Sequence, residues 1–291
     1  MELEIHQKHE HQQPKDLPGV LVVEPPPAMA IFGDKFLVSE QFKLLKAWES
    51  PFPLEEFLIS NSQSIQAILS AGYAPVTLEI LRLLPSLRLV VTASAGVNHI
   101  NLPECHRRGI AVTNSGNVFS DDCADAAVGL LIDVCRKVSA ADRYMRQGLW
   151  MSRGDYALGS KLGGKRIGIV GLGKIGLEVA KMLEAFGCTI LQVLLALGKN
   201  GVIVNIGRGA IINEKELVRC LVEGEIGGAG LDVFENEPNV PQELFAMDNV
   251  VMSPHNAVFT TESFMALCEL VVGNLEAFFT NKPLLSPVID D

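Results

Sequence analysis

A glycine-rich turn in the middle of the chain sets the strongest limit on what it can fold into. Gly171, Gly173 and Gly176 stand in GLGKIG, directly after the apolar segment 165–170 and directly before the helical pattern Lys174–Phe186. The first glycine permits a tight turn, the second lets backbone N–H groups approach a pyrophosphate, and the third lets the helix pack on its strand. A turn without a ligand is the alternative, but the flanking strand and helix favour a dinucleotide-binding unit.

Short apolar segments alternate with helical segments on both sides of this turn. The alternation predicts an α/β protein with parallel sheets. A long helix from about Ser120 to Gln147 separates two series of strands, and a last helix, Thr261–Phe279, is expected to pack back on the first series. The predicted strands are 19–23, 64–69, 87–92 and 110–113 before the long helix, and 165–170, 201–205, 228–233 and 250–253 after it.

This order predicts two domains, of which the first is discontinuous. It comprises residues 17–115 and 260–291, and residues 116–259 form the dinucleotide-binding domain, which is incomplete after about residue 190. Residues 1–16 are polar without apolar periodicity, so we expect a disordered tail there. The three histidines of that tail are not expected to bind a metal, because a mobile tail offers no preformed site.

Composition narrows the range of partners. The net charge of −10 argues against nucleic acid, because phosphate binding needs a basic surface. We find no apolar run long enough to span a membrane and no signal peptide, so a cytoplasmic location is expected. Six cysteines without paired spacing predict reduced thiols and no metal site.

Three polar residues follow three predicted strands in the C-terminal third. Arg208 lies in NIGRG, Glu237 in LDVFENEP and His255 in SPHN. Because the carboxyl ends of parallel strands meet at one edge of a sheet, all three are expected to face one cleft. Arginine can hold a carboxylate or polarise a carbonyl, histidine is a general acid near neutral pH, and the glutamate would orient the imidazolium. Each alone could be a solvated loop residue, but together they favour hydride reduction of a 2-oxo acid.

Two further candidates lie near other predicted strand ends. Asp232 could meet the nicotinamide ribose or carboxamide. In TASAGVN (92–98), the backbone N–H groups of Ala95 and Gly96 could bind a carboxylate, although an ordinary glycine turn is the alternative. His99, just beyond, is interpreted as structural.

The motifs GLGKIG, NIGRG, GLDVFENEP and SPH, in this order, resemble those of the D-isomer-specific 2-hydroxyacid dehydrogenases. SAGVNHI and NSGNVFSDDCADAAVGLL are most similar to the cytosolic branch of the plant glyoxylate/hydroxypyruvate reductases. The resemblance covers nearly everything after residue 17. A phosphoglycerate dehydrogenase is less favoured because no regulatory domain follows residue 291, and a formate dehydrogenase because the motif wording is closest to the reductases.

The resemblance implies a flavodoxin-like substrate domain, a truncated Rossmann-like domain and a homodimer. It also implies reduction of hydroxypyruvate or glyoxylate, with NADP(H) preferred and NAD(H) possible. The implied catalytic residues are Arg208, Glu237 and His255. The implied cofactor contacts are Gly171, Leu172, Gly173, Lys174, Ile175, Gly176, Ile206, Gly207 and Asp232, and the implied substrate contacts are Ala95, Gly96 and Arg208.

One stretch departs from the family pattern. Only 31 residues separate Val170 from Val202, whereas a single βαβ unit takes about 30 residues or more. At least one β-α unit is therefore missing, with the join near residues 192–193. The missing part would carry the residues that read the adenosine ribose, and only Lys199 stands in their place. We expect weakened NADPH binding, and the alternative function is a catalytically impaired, truncated isoform that only dimerises.

Overall fold

The computed structural model describes residues 17–27, 39–72, 74–191 and 197–288. Within it the chain forms two compact units, Met1–Gly116 with Phe264–Asp291, and Asn117–Ser263. The predicted tail at residues 1–16 and the predicted join at residues 192–193 lie outside the described residues.

The first unit is built on a five-stranded parallel sheet with the strand order β2-β1-β3-β4-β5. This order is that of flavodoxin-like folds, so the predicted fold class is confirmed for this unit. Its strands are β1 (Gly19–Val22), β2 (Lys43–Lys46), β3 (Ile65–Ser70), β4 (Leu89–Thr92) and β5 (Ala111–Thr113). Its helices are α1 (Leu54–Asn61), α2 (Leu78–Leu83) and α3 (Leu102–Arg108).

Burial on both faces explains why the inner strands could be predicted and β2 could not. All four residues of β1 and of β4 are buried, which gives the continuous apolar runs typical of parallel strands. The edge strand β2 reads KLLK and is only partly buried, so its pattern is too short and too polar to stand out. Helices α1 and α3 were likewise absent from the prediction; α3 begins at the Asn101 cap and ends at Gly109 in the left-handed conformation.

The second unit contains three helices followed by alternating strands and helices. The helices are α4 (Ser120–Arg136), α5 (Val138–Arg146) and α6 (Leu149–Arg153). Then come β6 (Arg166–Gly168), α7 (Lys174–Ala185), β7 (Thr189–Leu191), β8 (Val202–Asn205), α8 (Glu214–Val222), β9 (Gly228–Leu231) and β10 (Val250–Met252). The last helix, α9 (Thr261–Phe279), starts in this unit, and its residues from Phe264 onward are assigned to the first unit.

The prediction of one long helix over 120–147 is wrong. The helix ends at Lys137, whose backbone is left-handed with φ +56°, and a new helix begins at Val138. The Asp133 carboxylate accepts hydrogen bonds from the backbone N–H of Ser139, at 2.8 Å, and from its hydroxyl. The Asp133 side chain thus binds the first turn of the next helix and stabilises this break. Apolar periodicity alone cannot predict such a cap.

The strands of the second unit form two separate parallel sheets in the described part of the chain. One contains β6 and β7, and the other has the order β10-β9-β8. In the Rossmann order 3-2-1-4-5-6 the first strand has a neighbour on each side, but among the described residues β6 pairs only with β7. A strand missing between β7 and β8 would lie at the outer edge beside β7 in this order, so its absence shortens the sheet and does not by itself separate β6 from β8.

A single apolar cluster connects the two sheets. Leu131 of α4 packs with Leu183 of α7, and Ile167 of β6 and Val204 of β8 pack against the same cluster. On the other face of the β6 segment, Arg166, Gly168 and Val170 are exposed, with Val170 at 70%. A parallel sheet normally has both faces covered, so this uncovered face is a sign of missing elements.

Candidate active site

The glycine turn between β6 and α7 has the geometry that a dinucleotide phosphate requires. Gly171 has φ +87°, which favours glycine. A Cβ at Gly176 would stand 2.1 Å from the carbonyl oxygen of Gly171, so only glycine lets α7 approach the turn this closely. A Cβ at Gly173 would meet no heavy atom within 4 Å, so the space above the start of α7 is open. Open backbone at a helix N-terminus fits a pyrophosphate.

The side chains around this turn leave it accessible. Gly173 and Lys174 are exposed, Leu172 is 39% exposed, and Ile175 is partly buried. On the adenosine side the sequence contains no Asp or Glu between Glu184 and Glu214. A dinucleotide fold places its ribose-binding acid about 20 residues beyond the glycines. The residues present thus fit the pyrophosphate and lack the acid that would hold an unphosphorylated ribose.

The loop after β8 carries Arg208 and is shaped by a buried asparagine that our sequence reasoning did not single out. Asn205 is 7% exposed. Its Oδ1 accepts a hydrogen bond from the N–H of Gly207 at 3.1 Å, and its Nδ2 donates to the carbonyl of Arg208 at 3.0 Å. Ile206 and Gly207 lie inside this turn. The exposed Arg208 guanidinium donates through Nη1 to the carbonyl of Gly207 at 2.7 Å, so Asn205 fixes the backbone from which the guanidinium projects.

Gly209 allows the Arg208 loop to lie directly against the loop that follows β9. A Cβ at Gly209 would stand 1.9 Å from the carbonyl carbon of Phe234 and 2.3 Å from the backbone nitrogen of Glu235. Any side chain at this position would therefore push the two loops apart. The second glycine of NIGRG is thus a packing requirement.

Glu237 and His255 form a hydrogen-bonded pair in the second unit. The distance between His255 Nδ1 and Glu237 Oε2 is 2.8 Å, and the side chains are 46% and 36% exposed respectively. The other carboxylate oxygen, Oε1, accepts from the backbone N–H of Phe234 at 3.0 Å. Both carboxylate oxygens are therefore engaged, and the imidazole is oriented through Nδ1.

The electrostatic environment keeps Glu237 ionised. Partial burial works to raise its pKa, but the hydrogen bonds from His255 and Phe234 and the charges of His255 and Arg208 outweigh burial and lower it below its usual 4.5. An ionised carboxylate can only accept hydrogen bonds, so Nδ1 of His255 carries a proton. No described residue hydrogen-bonds to Nε2, so this atom can exchange a proton with a ligand.

Asp232 organises the loop that presents His255. Its carboxylate is buried and accepts hydrogen bonds from Ser253 Oγ at 2.6 Å, the N–H of Asn256 at 3.0 Å and the N–H of Ala257 at 3.2 Å. Its backbone carbonyl accepts from the N–H of His255 at 2.8 Å. The sequence suggested a cofactor contact for Asp232, and the geometry gives it a positioning role for His255 as well.

The Arg208 charge reaches the same region. It contributes to lowering the pKa of Glu237, and it also acts on Cys123 of α4. Burial, followed by the charges of Asp232 and Asp122, raises the pKa of the Cys123 thiol to about 11 against the opposing effect of Arg208. The neutral thiol lies among the charged groups without adding a charge of its own.

The loop Thr92–Asn98 belongs to the first unit. Its carbonyl oxygens are occupied by hydrogen bonds. The carbonyl of Ser94 accepts from the N–H of Ser115 at 3.0 Å, and the carbonyl of Ala95 accepts from Asn114 Nδ2 at 3.0 Å. The carbonyl of Gly96 accepts from Ser94 Oγ at 2.7 Å. Within the described part of the chain, the N–H groups of Ala95 and Gly96 donate to no acceptor, and Ala95 is exposed. A loop whose carbonyls are bound and whose N–H groups are open can receive an anion.

The remaining sequence-based expectations concern metals, thiols and membranes. Across residues 17–27, 39–72, 74–191 and 197–288 there is no cluster of His, Cys, Asp or Glu that could hold a metal ion. All six cysteines are free thiols, and five are buried. No helix in these ranges has the length and apolar character of a membrane span.

Sequence comparison identifies relatives across most of the chain. Residues 20–289 match the model of the D-isomer specific 2-hydroxyacid dehydrogenase catalytic domain. The glyoxylate/hydroxypyruvate reductase HPR3 of Arabidopsis thaliana is 47% identical, with 93% of this chain and 97% of the relative covered. The hydroxyphenylpyruvate reductase of Plectranthus scutellarioides is 39% identical over 93% of this chain and 99% of its own length.

Solved structures agree with this similarity. The 2-hydroxyacid dehydrogenase of Ketogulonicigenium vulgare Y25 superposes with a TM-score of 0.85 at 30% identity, covering 94% of this chain and 98% of that one. The NADPH-dependent glyoxylate/hydroxypyruvate reductase of Sinorhizobium meliloti, in complex with NADP and malonate, gives 0.79 at 30% identity over 93% of this chain and 96% of its own. The two-domain Rossmann-type fold of these relatives confirms the predicted fold class. These relatives are reductases and dehydrogenases, so they do not support the alternative of an isoform that only dimerises.

The alignment lengths also show that this chain is shorter than its relatives. The alignment with the Arabidopsis reductase spans 315 positions, while 93% of 291 residues is about 271, so roughly 44 positions of the relative have no counterpart here. The same difference of roughly 44 results for the Plectranthus reductase, with the same 315 positions and 93% coverage. The gap agrees in size with a missing β-α unit and more. From the match to residues 20–289 and these identities, the chain belongs to the D-isomer specific 2-hydroxyacid dehydrogenase family of oxidoreductases.

Proposed function

We propose that this protein reduces a small 2-oxo acid, hydroxypyruvate or glyoxylate, to the corresponding 2-hydroxy acid with NAD(P)H. The observation that carries the proposal is the 2.8 Å contact between Glu237 and His255 Nδ1, which leaves Nε2 as the proton donor. NAD(P)H, when bound, would supply the hydride for the carbonyl carbon. The carbonyl oxygen takes its proton from His255 Nε2, and the resulting neutral imidazole remains hydrogen-bonded to the Glu237 carboxylate.

Arg208 is proposed to bind the substrate and polarise its carbonyl. The guanidinium is exposed, it is held by the turn around Asn205, and its charge acts on Glu237. A guanidinium offers paired donors that suit a carboxylate or a carbonyl on which negative charge develops. Its second role is to favour the ionised form of Glu237.

The first unit is proposed to be the substrate domain, with its loop Thr92–Asn98 as a carboxylate-binding element. The open N–H groups of Ala95 and Gly96 support this role, because a 2-oxo acid carries its negative charge on a carboxylate.

The second unit is proposed to be the NAD(P)-binding domain, with NADP(H) as the preferred cofactor and NAD(H) as a possible one. The proposed contacts are Gly171, Leu172, Gly173, Lys174, Ile175 and Gly176 at the phosphates, and Ile206, Gly207 and Asp232 near the nicotinamide. The lack of an acid between Glu184 and Glu214 supports the preference, because an acid there would repel a 2′-phosphate. The Sinorhizobium meliloti relative is in complex with NADP.

A homodimer in the cytoplasm completes the proposal. Around α6, large apolar side chains are exposed: Trp150 at 55%, Met151 at 97% and Leu158 at 94%. Apolar side chains this exposed are typical of a surface that is covered by a partner. Light scattering at several protein concentrations tests the dimer, and fractionation of cells that express the tagged chain tests the location.

Product analysis tests the reaction itself. The purified protein is incubated with NADPH and either hydroxypyruvate or glyoxylate, and the product is identified by chiral chromatography. We expect the 2-hydroxy acid, with hydroxypyruvate giving the D-isomer, and no product when NADPH is omitted. Absence of product with both acids and with both NADPH and NADH would refute the proposal.

A further inference from the structure

The side chains of Thr92 and Ser94, in the Thr92–Asn98 loop, and of His99, directly after it, form a chain of hydrogen bonds. Thr92 Oγ1 is 3.1 Å from His99 Nε2 and 2.9 Å from Ser94 Oγ, and Ser94 Oγ is 2.7 Å from the carbonyl oxygen of Gly96. Thr92 is 1% exposed and ends strand β4. The sequence offered no role for His99 beyond structure, and this arrangement links it to the proposed carboxylate-binding backbone.

Counting protons fixes the direction of every bond in this chain. The carbonyl of Gly96 can only accept, so the single hydroxyl proton of Ser94 points to it. The hydroxyl proton of Thr92 must then fill the bond to Ser94 Oγ. Thr92 Oγ1 has no second proton to give, so it accepts from His99, and Nε2 of His99 must carry a proton.

We propose that His99, Thr92 and Ser94 form a positioning relay for the carboxylate-binding loop; the inference rests on the proposed function. The relay runs from His99 Nε2–H through the Thr92 and Ser94 hydroxyls to the Gly96 carbonyl. Hydrogen bonds in such a series strengthen one another, since each donor is polarised by the bond it accepts. By holding the Gly96 carbonyl inward, the relay keeps the N–H groups of Ala95 and Gly96 directed toward a ligand.

The surroundings of Ser94 leave little freedom for another arrangement. A Cβ at Gly72 would stand 2.8 Å from Ser94 Cβ, so Gly72, with φ +91°, gives Ser94 the space it occupies. The N–H of Ser115 binds the carbonyl of Ser94, and Asn114 Nδ2 binds the carbonyl of Ala95. The relay supplies the third of these bonds, the one to Gly96.

A matched pair of variants tests the relay. Thr92→Val keeps the shape and removes the hydroxyl, whereas Thr92→Ser keeps the hydroxyl. A loop that holds the carboxylate equally in the ground and transition states affects KM alone. With hydroxypyruvate and NADPH we expect Thr92→Val to raise the KM for the acid roughly tenfold, the equivalent of one hydrogen bond, with kcat nearly unchanged. Thr92→Ser should restore the KM of the unaltered protein. Equal KM values for the two variants would overturn the proposal.

A second measurement does not depend on catalysis. Long-range nitrogen–proton correlation spectra of the unaltered protein identify which ring nitrogen of His99 is protonated, and the relay requires Nε2. A His99 ring protonated on Nδ1 alone would refute it, even if Thr92→Val fails to fold. Titration with malonate should shift the Ala95 and Gly96 amide signals in the Thr92→Ser variant more than in Thr92→Val. If hydroxypyruvate is not reduced while these spectra show the expected tautomer and shifts, the proposed function fails and the relay stands.

Discussion

His255 occupies a backbone conformation that residues other than glycine rarely adopt, with φ +52°. Such a conformation persists only where the surroundings determine it. Asp232 provides these surroundings. Its carboxylate accepts from the Ser253 hydroxyl and from the N–H groups of Asn256 and Ala257, and its carbonyl accepts from the N–H of His255. The orientation of the imidazole is thus set from two directions, by Asp232 behind the loop and by Glu237 at Nδ1.

Replacing Asp232 by Asn should therefore damage both stability and activity. An amide has one acceptor oxygen and an NH₂ group, so at least one of the donors at Ser253, Asn256 or Ala257 loses its acceptor in a buried place. We expect the free energy of unfolding to fall by about 1–3 kcal/mol, measured by urea denaturation. Asp142→Asn, in an exposed pair with Arg146, is the control and should change stability little. Equal effects of the two substitutions would contradict the role given to Asp232.

The Glu237–His255 pair has a testable dependence on pH. The pKa of Glu237 is lowered from 4.5, so its contribution to stability is present above that pH and is lost as the pH falls through the lowered value. Glu237→Gln removes the carboxylate that accepts from His255 Nδ1 and orients the imidazole, and we expect kcat/KM to fall by roughly 10- to 100-fold at neutral pH. On acidification below pH 4.5 the variant should lose less stability than the unaltered protein. Thermal unfolding at each pH measures this loss. An unchanged acid profile would show that the pair contributes nothing.

The turn between β6 and α7 shows at the scale of an element how two glycines of one motif differ. Gly173 faces open space, so Gly173→Ala should fold normally and place a methyl group where a pyrophosphate approaches. Gly176 contacts the backbone of Gly171, so Gly176→Ala should destabilise the unit by about 1–3 kcal/mol. Calorimetric titration with NADPH and thermal unfolding separate the two effects. Loss of stability in Gly173→Ala, or unaltered NADPH affinity, would contradict this assignment.

The sequence predicted the helices, strands and turns whose patterns depend only on residues close together in the chain. Buried strands such as β1 and β4 and the glycine turn were predicted within a few residues, because continuous apolar runs and glycine spacing can be read from neighbours in the chain. The break at Lys137 and the edge strand β2 were missed, because each depends on a partner elsewhere or on a side-chain cap.

The candidate site divided in the same way. Arg208, Glu237 and His255 could be singled out as polar residues at strand ends. The supporting residues could not, because their roles arise only in three dimensions. Asn205 acts through both ends of a buried amide, and Gly209 acts through contact with a loop that lies 25 residues further along the chain.

For the molecule as a whole, the chain has the motifs with Arg208, Glu237 and His255 and lacks roughly 44 positions of its relatives. The loss falls on the sheet that carries the glycine turn, since one face of the β6 segment is uncovered and Val170 is 70% exposed. The loops with Arg208, Glu237 and His255 follow β8, β9 and β10, which remain one sheet with the apolar cluster of α8 beneath it.

This asymmetry predicts weak cofactor binding. The phosphate turn is present, but the ribose-binding acid and the elements beside it are not. The dissociation constant for NADPH should therefore be higher than micromolar. The affinity for NADPH should be less than about tenfold higher than the affinity for NADH. Fluorescence titration with each cofactor measures both quantities. Micromolar binding of NADPH by this chain would show that the lost segment is not needed for the adenosine end.

The rate of NADPH oxidation with saturating hydroxypyruvate, compared between the unaltered protein and His255→Gln, tests the central claim most directly. Gln cannot donate a proton as an acid, yet it retains hydrogen-bonding groups that can face Glu237. The account predicts measurable turnover for the unaltered protein and a kcat lower by roughly 100- to 10,000-fold in the variant. Equal rates for the two proteins would contradict the assignment of His255 as the proton donor.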